Sequence, residues 1–412
     1  MRTPASVTLV AVLVLPFFVG CTSQPAPLPT NDDPIAVAER LVQQQRKIEE
    51  HKAAAIAAEQ RRAKAAFFQV NEADLAQAER LVPATQREQV ASLMMVGVKN
   101  FDDARFALDQ GAGGIFIGSW TDPALLTQPG RDLTALREVV QRPFSVSIDA
   151  EGGRVQRQPA LFGSVPSPRS LAGSTSPEET QRIAYDLGTR LRSAGVTVDF
   201  APVLDVDARK DHSAIGDRSF SPDPHVAATY GAAFAHGLSD AGVRPVYKHF
   251  PGHGRASGDS HFQSVTAPPL ADVQAVDLAP YGPALRQAPG GVMMGHVQVP
   301  GLGDGAPSSI NPAAYAMLRA GDYPGGSPFQ GVIYTDDLSG MKAISSRMRT
   351  PEAATAALRA GADCALWIST ADLVAAIDAA DRAVTSGDYS QRQMLDSVMR
   401  LKLQLALYES FN

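Results

Sequence analysis

From about residue 85 to the C-terminus, short apolar runs alternate with longer stretches in which apolar residues recur every three or four positions. The short runs read as buried strands and the longer stretches as amphipathic helices. Strands are expected near residues 93–98, 114–118, 144–148, 196–206, 243–247, 291–299, 332–335 and 364–369. The clearest helices cover 178–194 and 225–241, each followed by a glycine (Gly195, Gly242) where a helix ends. A weaker helix is expected near 312–320, in the long connection between the sixth and seventh strands. Thr85-Gln86-Arg87-Glu88 has the form of a capping box and marks where the compact domain, 85–412, opens. Eight strands alternating with helices predict a (β/α)8 barrel, an α/β fold of the TIM type. An open doubly wound sheet is the alternative; no Gly-rich phosphate loop follows the first strand, which counts against its nucleotide-binding form.

The first 84 residues have a different pattern. A basic residue, Arg2, precedes an apolar run from Val7 to Val19 that is short for a membrane span, and Gly20-Cys21 follows. Residues 1–20 therefore read as an export signal. Residues 21–33 read as a Pro- and Ser-rich tether without apolar periodicity. Residues 34–84 read as a helical stalk, because 34–70 is rich in Ala, Gln, Glu, Lys and Arg with no interior Gly or Pro. At 1.5 Å per residue the stretch 34–70 would span roughly 55 Å if fully helical. Leu41 and Ile48 stand a heptad apart but are followed by Ala55 and Arg62, so a sustained coiled coil is not expected. The formal net charge of −6 gives no reason to expect nucleic acid or an anionic membrane surface as partner. The two cysteines, Cys21 and Cys364, leave no intramolecular disulfide if the first is modified; Cys364 lies in an apolar run and reads as a core residue.

Candidate chemistry gathers where strands end. The run Val332 to Thr335 stops at Asp336-Asp337, the run Phe144 to Ile148 at Asp149-Ala150-Glu151, and the run Val243 to Tyr247 at Lys248-His249. A charge at the end of a buried strand is costly unless it opens into a polar cleft, and a barrel collects its active-site groups at the C-terminal ends of its strands. Side chains alternate along a strand, so only one of the two adjacent aspartates faces the site. Asp336 is expected there, and Asp337 suits a cap for the following helix. His249, His253, Asp259 and His261 lie on a Gly- and Pro-shaped loop. Asp259 and His261, two apart, can share a side, and a carboxylate beside an imidazole suits an acid/base group. Arg157 and Arg218 can donate to hydroxyl or acyl oxygens, and Glu151 remains a rival catalytic carboxylate. The same histidines and Asp259 could instead ligate a metal, as in a barrel metallohydrolase, although neither His-x-His nor His-Glu-x-x-His is present.

Several stretches together resemble glycoside hydrolase family 3, in its single-domain bacterial β-N-acetylglucosaminidase form. They are Leu93 to Gly97, Asp149-Ala150-Glu151-Gly152-Gly153-Arg154-Val155-Gln156-Arg157, Phe200 to Val206, Lys248 to Gly254, Asp259-Ser260-His261 and Thr335 to Leu338. The resemblance implies a retaining, exo-acting enzyme of peptidoglycan turnover without a cofactor or metal. It casts Asp336 as nucleophile, His261 assisted by Asp259 as acid/base, and Asp149, Arg157, Arg218, Lys248 and His249 as the groups holding the sugar. Ala150 stands where the family usually has Gln, and Arg255-Ala256 where it usually has Asp-Thr. Phosphate is a physically permitted acceptor in place of water, which would make the chain a phosphorylase. A lipoprotein that only binds muropeptides is the non-enzymatic alternative; the presence of Asp336, Asp259 and His261 argues against it. Phe18-Val19-Gly20-Cys21 resembles a bacterial lipobox, implying lipidation at Cys21 and attachment to the outer face of the cytoplasmic membrane. The sequence does not reveal a protein partner.

Overall fold

The computed structural model describes residues 34–208, 214–258 and 264–409. Two units are distinguished, with the boundary between Gln60 and Arg61. The first consists of most of helix α1 (Pro34–Phe68), whose described side chains up to Gln60 are almost all exposed. Among the described residues, no helix is long and apolar enough to cross a membrane.

The second unit holds eight parallel strands: β1 (Met94–Val98), β2 (Gly114–Ile117), β3 (Ser145–Ile148), β4 (Val198–Asp199), β5 (Arg244–Phe250), β6 (Gly291–Met294), β7 (Ile333–Thr335) and β8 (Ala365–Trp367). Each pairs with its neighbour in chain order, and β8 pairs back onto β1, with Met94 opposite Ala365. A parallel bridge between Tyr334 and Cys364, with backbone bonds from Thr335 N to Cys364 O and Leu338 N to Leu366 O of 3.0 Å each, joins β7 to β8. The sheet therefore closes as a (β/α)8 barrel and not as an open doubly wound sheet. Its strands are buried along almost their whole length because helices cover the outside. The inside is packed rather than hollow: Phe200 stacks on Phe116 at 6.0 Å and meets Tyr334 edge-on at 5.3 Å, and the Ser147 hydroxyl lies 3.0 Å from Met95 Sδ.

The expected helices appear as Pro177–Ser193, Pro224–Asp240 and Pro312–Ala320, and the Thr85–Glu88 capping box is present. Several strands are shorter than expected, the fourth and sixth most of all. The stretch 196–206 forms a regular ladder only at Val198–Asp199, although beyond it Val246 N still donates to Ala201 O at 2.9 Å and Leu204 N to Lys248 O at 2.7 Å. β6 ends at Met294, although Gly295 N still donates to Phe250 O at 2.9 Å. The compact unit also reaches back beyond the expected opening at residue 85. Ala65, Phe68, Leu75 and Ala78 form a small separate core with Met399, Leu403 and Ala406 of the C-terminal helix Gln391–Glu409. Cys364 is buried as a core residue, and burial pushes its thiol up.

Candidate active site

A cavity of about 570 Å³ opens at the C-terminal ends of the strands. Asp149, at the end of β3, begins a tight hairpin in which Ala150–Gly152 pairs with Val155–Gln156, and the N–H of Arg157 returns to Asp149 O at 3.0 Å. Gly152 makes the hairpin possible: its φ is +90°, and a Cβ there would lie 2.4 Å from Pro166 O. The hairpin directs Asp149, Glu151, Arg154 and Arg157 toward one cavity.

β5 supplies the partners, Lys248 and His249, which are joined by a cis peptide bond. Lys248 Nζ lies 2.8 Å from Asp149 Oδ1 and 2.6 Å from Glu151 Oε1. Arg218, on the 3-10 turn Gly216–Arg218 after β4, grips Glu151 through two parallel bonds of 2.8 Å each. Arg157 reaches Asp149 Oδ2 at 3.4 Å. Glu151 is fully buried; burial works to raise its carboxyl, but Arg218 and Lys248 outweigh it and hold the group well below the usual carboxylate range. For Lys248, burial is likewise overcome by Asp149 and Glu151, which keep the ammonium charged. Both Glu151 oxygens are thus committed to cations, which removes it as a rival to Asp336.

Both adjacent aspartates line the cavity, against the expectation that only one faces it, but their side chains are held differently. Asp336 keeps β7 in register through its N–H to Met294 O at 3.0 Å, and its side chain, 16% exposed, lines the cavity. Oδ1 accepts the N–H of Asp337 at 2.8 Å, and Oδ2 lies 4.0 Å from His249 Nε2. Burial pushes the Asp336 carboxyl up, but His249, His296, the Asp337 N–H and Lys248 together bring it down to about 2. Asp337 instead folds onto its own turn, accepting from Ser339 N at 2.9 Å, Ser339 Oγ at 2.8 Å and Gly340 N at 2.9 Å. Burial raises its carboxyl.

His249 Nδ1 is 2.6 Å from Asp205 Oδ2, and the other Asp205 oxygen accepts the His253 N–H at 2.6 Å. Burial of Asp205 is more than offset by His249, so this carboxyl also stays low. His253 is buried, and burial takes its imidazole down to about 4. At the root of the loop that follows, Arg255 forms a pair with Asp277 at 2.7 Å and donates to Asp272 O at 2.7 Å. Asp259 and His261, expected as the acid/base pair, lie outside the described residues, as does Cys21. Among the described residues, no three His, Cys, Asp or Glu side chains gather in a group that could hold a metal ion. The structure adds two groups that sequence reasoning passed over. Asp205 orients His249, and His296, 2.7 Å from Ser309 Oγ and 2.8 Å from Asp337 O, stands beside the aspartate pair. Both end apolar runs, the same signal that marked Asp336 and Lys248.

The chain matches the profile of the glycosyl hydrolase family 3 N-terminal domain over residues 85–403. The β-hexosaminidase LpqI of Mycobacterium tuberculosis is 45% identical over 328 residues, covering 78% of this chain and 83% of that protein. A solved glycosyl hydrolase of the GH3 family from Mycobacterium smegmatis is 48% identical with a TM-score of 0.76, covering 79% of this chain and 98% of that one. A family 3 β-N-acetylglucosaminidase from Paenibacillus sp. is 31% identical with a TM-score of 0.73, covering 79% of this chain and 64% of that one. The chain belongs to glycosyl hydrolase family 3.

Proposed function

We propose that this chain is a retaining exo-β-N-acetylglucosaminidase that removes terminal N-acetylglucosamine from peptidoglycan-derived fragments. The observation that carries the reading is the Asp336 carboxylate. It is held ionised at a strand end, with one oxygen fixed by a backbone N–H and the other facing the ionic cluster across the cavity. In this reading Asp149, braced by Lys248 and Arg157, accepts hydroxyl protons of the sugar, and Arg157 Nε, buried without a partner among the described residues, donates to a sugar oxygen. His261, assisted by Asp259, gives a proton to the glycosidic oxygen as Asp336 attacks the anomeric carbon and the C–O bond breaks. His261 then takes a proton from water, whose oxygen displaces Asp336 from the anomeric carbon with net retention. The Cys21 motif supports a lipid anchor that holds the enzyme on the outer face of the cytoplasmic membrane.

The test is release of 4-nitrophenol from its β-N-acetylglucosaminide by the full chain, with EDTA present and in both phosphate and non-phosphate buffers. Wild type and Asp337→Asn are expected to turn over and Asp336→Gly to fail, with azide restoring turnover to Asp336→Gly as the α-glycosyl azide. Sugar 1-phosphate as the main product would replace hydrolase with phosphorylase, and loss of activity with EDTA would favour a metallohydrolase. Membrane fractionation of cells carrying Cys21→Ala tests the anchor: protein remaining on the membrane would refute it.

A further inference from the structure

We propose that Trp120, on the turn after β2, is the platform of a leaving-group subsite that receives the pyranose ring beyond the scissile bond. The proposal rests on the glycosidase reading above and assigns it a substrate of at least two sugar rings. Trp120 lines the cavity with 41% of its surface exposed, whereas Trp367, the other tryptophan, is fully buried. A single exposed apolar side chain needs no explanation. This one is built in place.

The turn Gly118-Ser119-Trp120-Thr121 is tied down from three directions. Thr121 Oγ1 donates to Val98 O at 2.6 Å and accepts the Gly118 N–H at 3.0 Å. The Gln158 side-chain amide donates to Gly118 O at 3.0 Å and to Thr121 O at 2.9 Å. Asp122 N donates to Lys99 O at 2.7 Å. The indole folds back over Gly118, where a Cβ would come within 2.5 Å of Cε2, Cζ2 and Cη2, and its ring lies 6.0 Å from that of Phe116. An aromatic surface fixed before ligand arrives loses little side-chain freedom on binding.

Polarity divides the cavity along the order of the strands. The charged lining is concentrated on the arc β3–β4–β5, whose Asp149, Glu151, Arg218, Lys248 and His249 suit the hydroxyls of the sugar being transferred, although Val155, Phe200 and Ala214 also line the cavity there. The arc β8–β1–β2 carries Phe116, Trp120, Leu366 and Ile368. A pyranose presents a C–H face to an aromatic ring while its equatorial hydroxyls stay at the edge, so the apolar arc suits a second ring that is held but not reacted. Asp336, at the end of β7, stands next to this arc.

The experiment compares kcat/KM for N,N′-diacetylchitobiose, whose leaving group is a sugar ring, with that for β-N-acetylglucosaminyl fluoride, whose leaving group is one atom. Trp120→Ala in the full chain is expected to lower the disaccharide-to-fluoride ratio at least about tenfold. Trp120→Phe should recover part of the loss, and Gly118→Ala, which displaces the indole, should follow Trp120→Ala. An unchanged ratio in Trp120→Ala overturns the proposal. Tryptophan fluorescence gives a readout that needs no turnover. Chitobiose should shift the wild-type emission to the blue while N-acetylglucosamine does not, and the shift should vanish in Trp120→Phe, which leaves only buried Trp367. No shift in wild type also overturns the proposal. If wild type cleaves neither compound, the glycosidase reading fails, and the titration still decides whether Trp120 receives a sugar ring.

Discussion

Glu151→Gln tests whether the ionic cluster is a scaffold for the site or a part of the chemistry. Glu151 is fully buried and bears three close contacts: two of 2.8 Å from Arg218 and one of 2.6 Å from Lys248. Glutamine keeps the shape and one acceptor but removes the charge. Lys248 retains Asp149 at 2.8 Å, so most of the cost falls on Arg218, which is left with the Ala214 carbonyl at 2.8 Å, His249 Nε2 at 3.4 Å and, among the described residues, no carboxylate within hydrogen-bond reach. Removing one partner of a buried pair costs about 3–5 kcal/mol. With an m-value of about 3 kcal/mol per M, the urea midpoint at pH 7 should drop by roughly 1–2 M. Replacing both members with apolar side chains of similar volume is often close to neutral, so Glu151→Met/Arg218→Met should recover much of what Glu151→Gln loses. The loss also depends on pH in a defined direction. The folded-state carboxyl lies below its ordinary value near 4.5, so its contribution is present above that value and fades as pH falls below it. Activity should fall with Glu151→Gln, but azide should not restore it, since Asp336, the proposed nucleophile, is still in place. A midpoint drop smaller than about 0.3 M, or rescue by azide, would refute the assignment of Glu151 as scaffold.

Three further outcomes follow from the same geometry. Asp336 sits at about 2, so it is ionised above that value and protonated as pH falls through it; wild-type kcat/KM should show no break from this group above about pH 3, whereas His249→Ala should bring a break toward pH 4. Asp205→Asn removes a charged acceptor from both the His249 ring and the His253 N–H, and a charge-assisted bond of about 1.5–3 kcal/mol corresponds to a roughly 10–100-fold fall in kcat/KM, measured on the aryl glycoside. Asp199, whose Oδ1 accepts the Ala150 N–H at 2.9 Å, is pushed up to about 8 by burial. Its raised value makes its contribution greatest below about 4 and lost as pH rises toward 8. Asp199→Asn should therefore flatten the decline of the urea midpoint between pH 5 and 8, and an unchanged slope would refute that source.

The parts of the site that were legible in the sequence are those where one local rule decides the outcome. Asp336 and Asp337 are neighbours with the same side chain and both line the cavity, but alternation at a strand end gives them different partners: Asp336 faces His249, while Asp337 turns back onto Ser339 and Gly340. The barrel was legible for a similar reason: eight apolar runs of strand length with helices between them leave few ways to bury both faces. What stayed hidden depends on pairs far apart in the chain. Glu151 and Arg218 are 67 residues apart, and nothing local says that their charges cancel. As an isolated carboxylate Glu151 looked as capable of chemistry as Asp336, and only the two guanidinium bonds and Lys248 show it to be spent. Strand length failed where apolarity and pairing part company. The run 196–206 is apolar because it is buried, and beyond Asp199 it stays bonded to β5 without forming a regular ladder, with Lys248 N donating to Pro202 O at 3.2 Å and Leu204 N to Lys248 O at 2.7 Å before Asp205 meets His249. Those bonds carry the chain alongside β5 as far as Lys248 and bring the residue after Leu204 up beside His249, so pairing that falls short of a regular strand still sets the carboxylate that orients the imidazole.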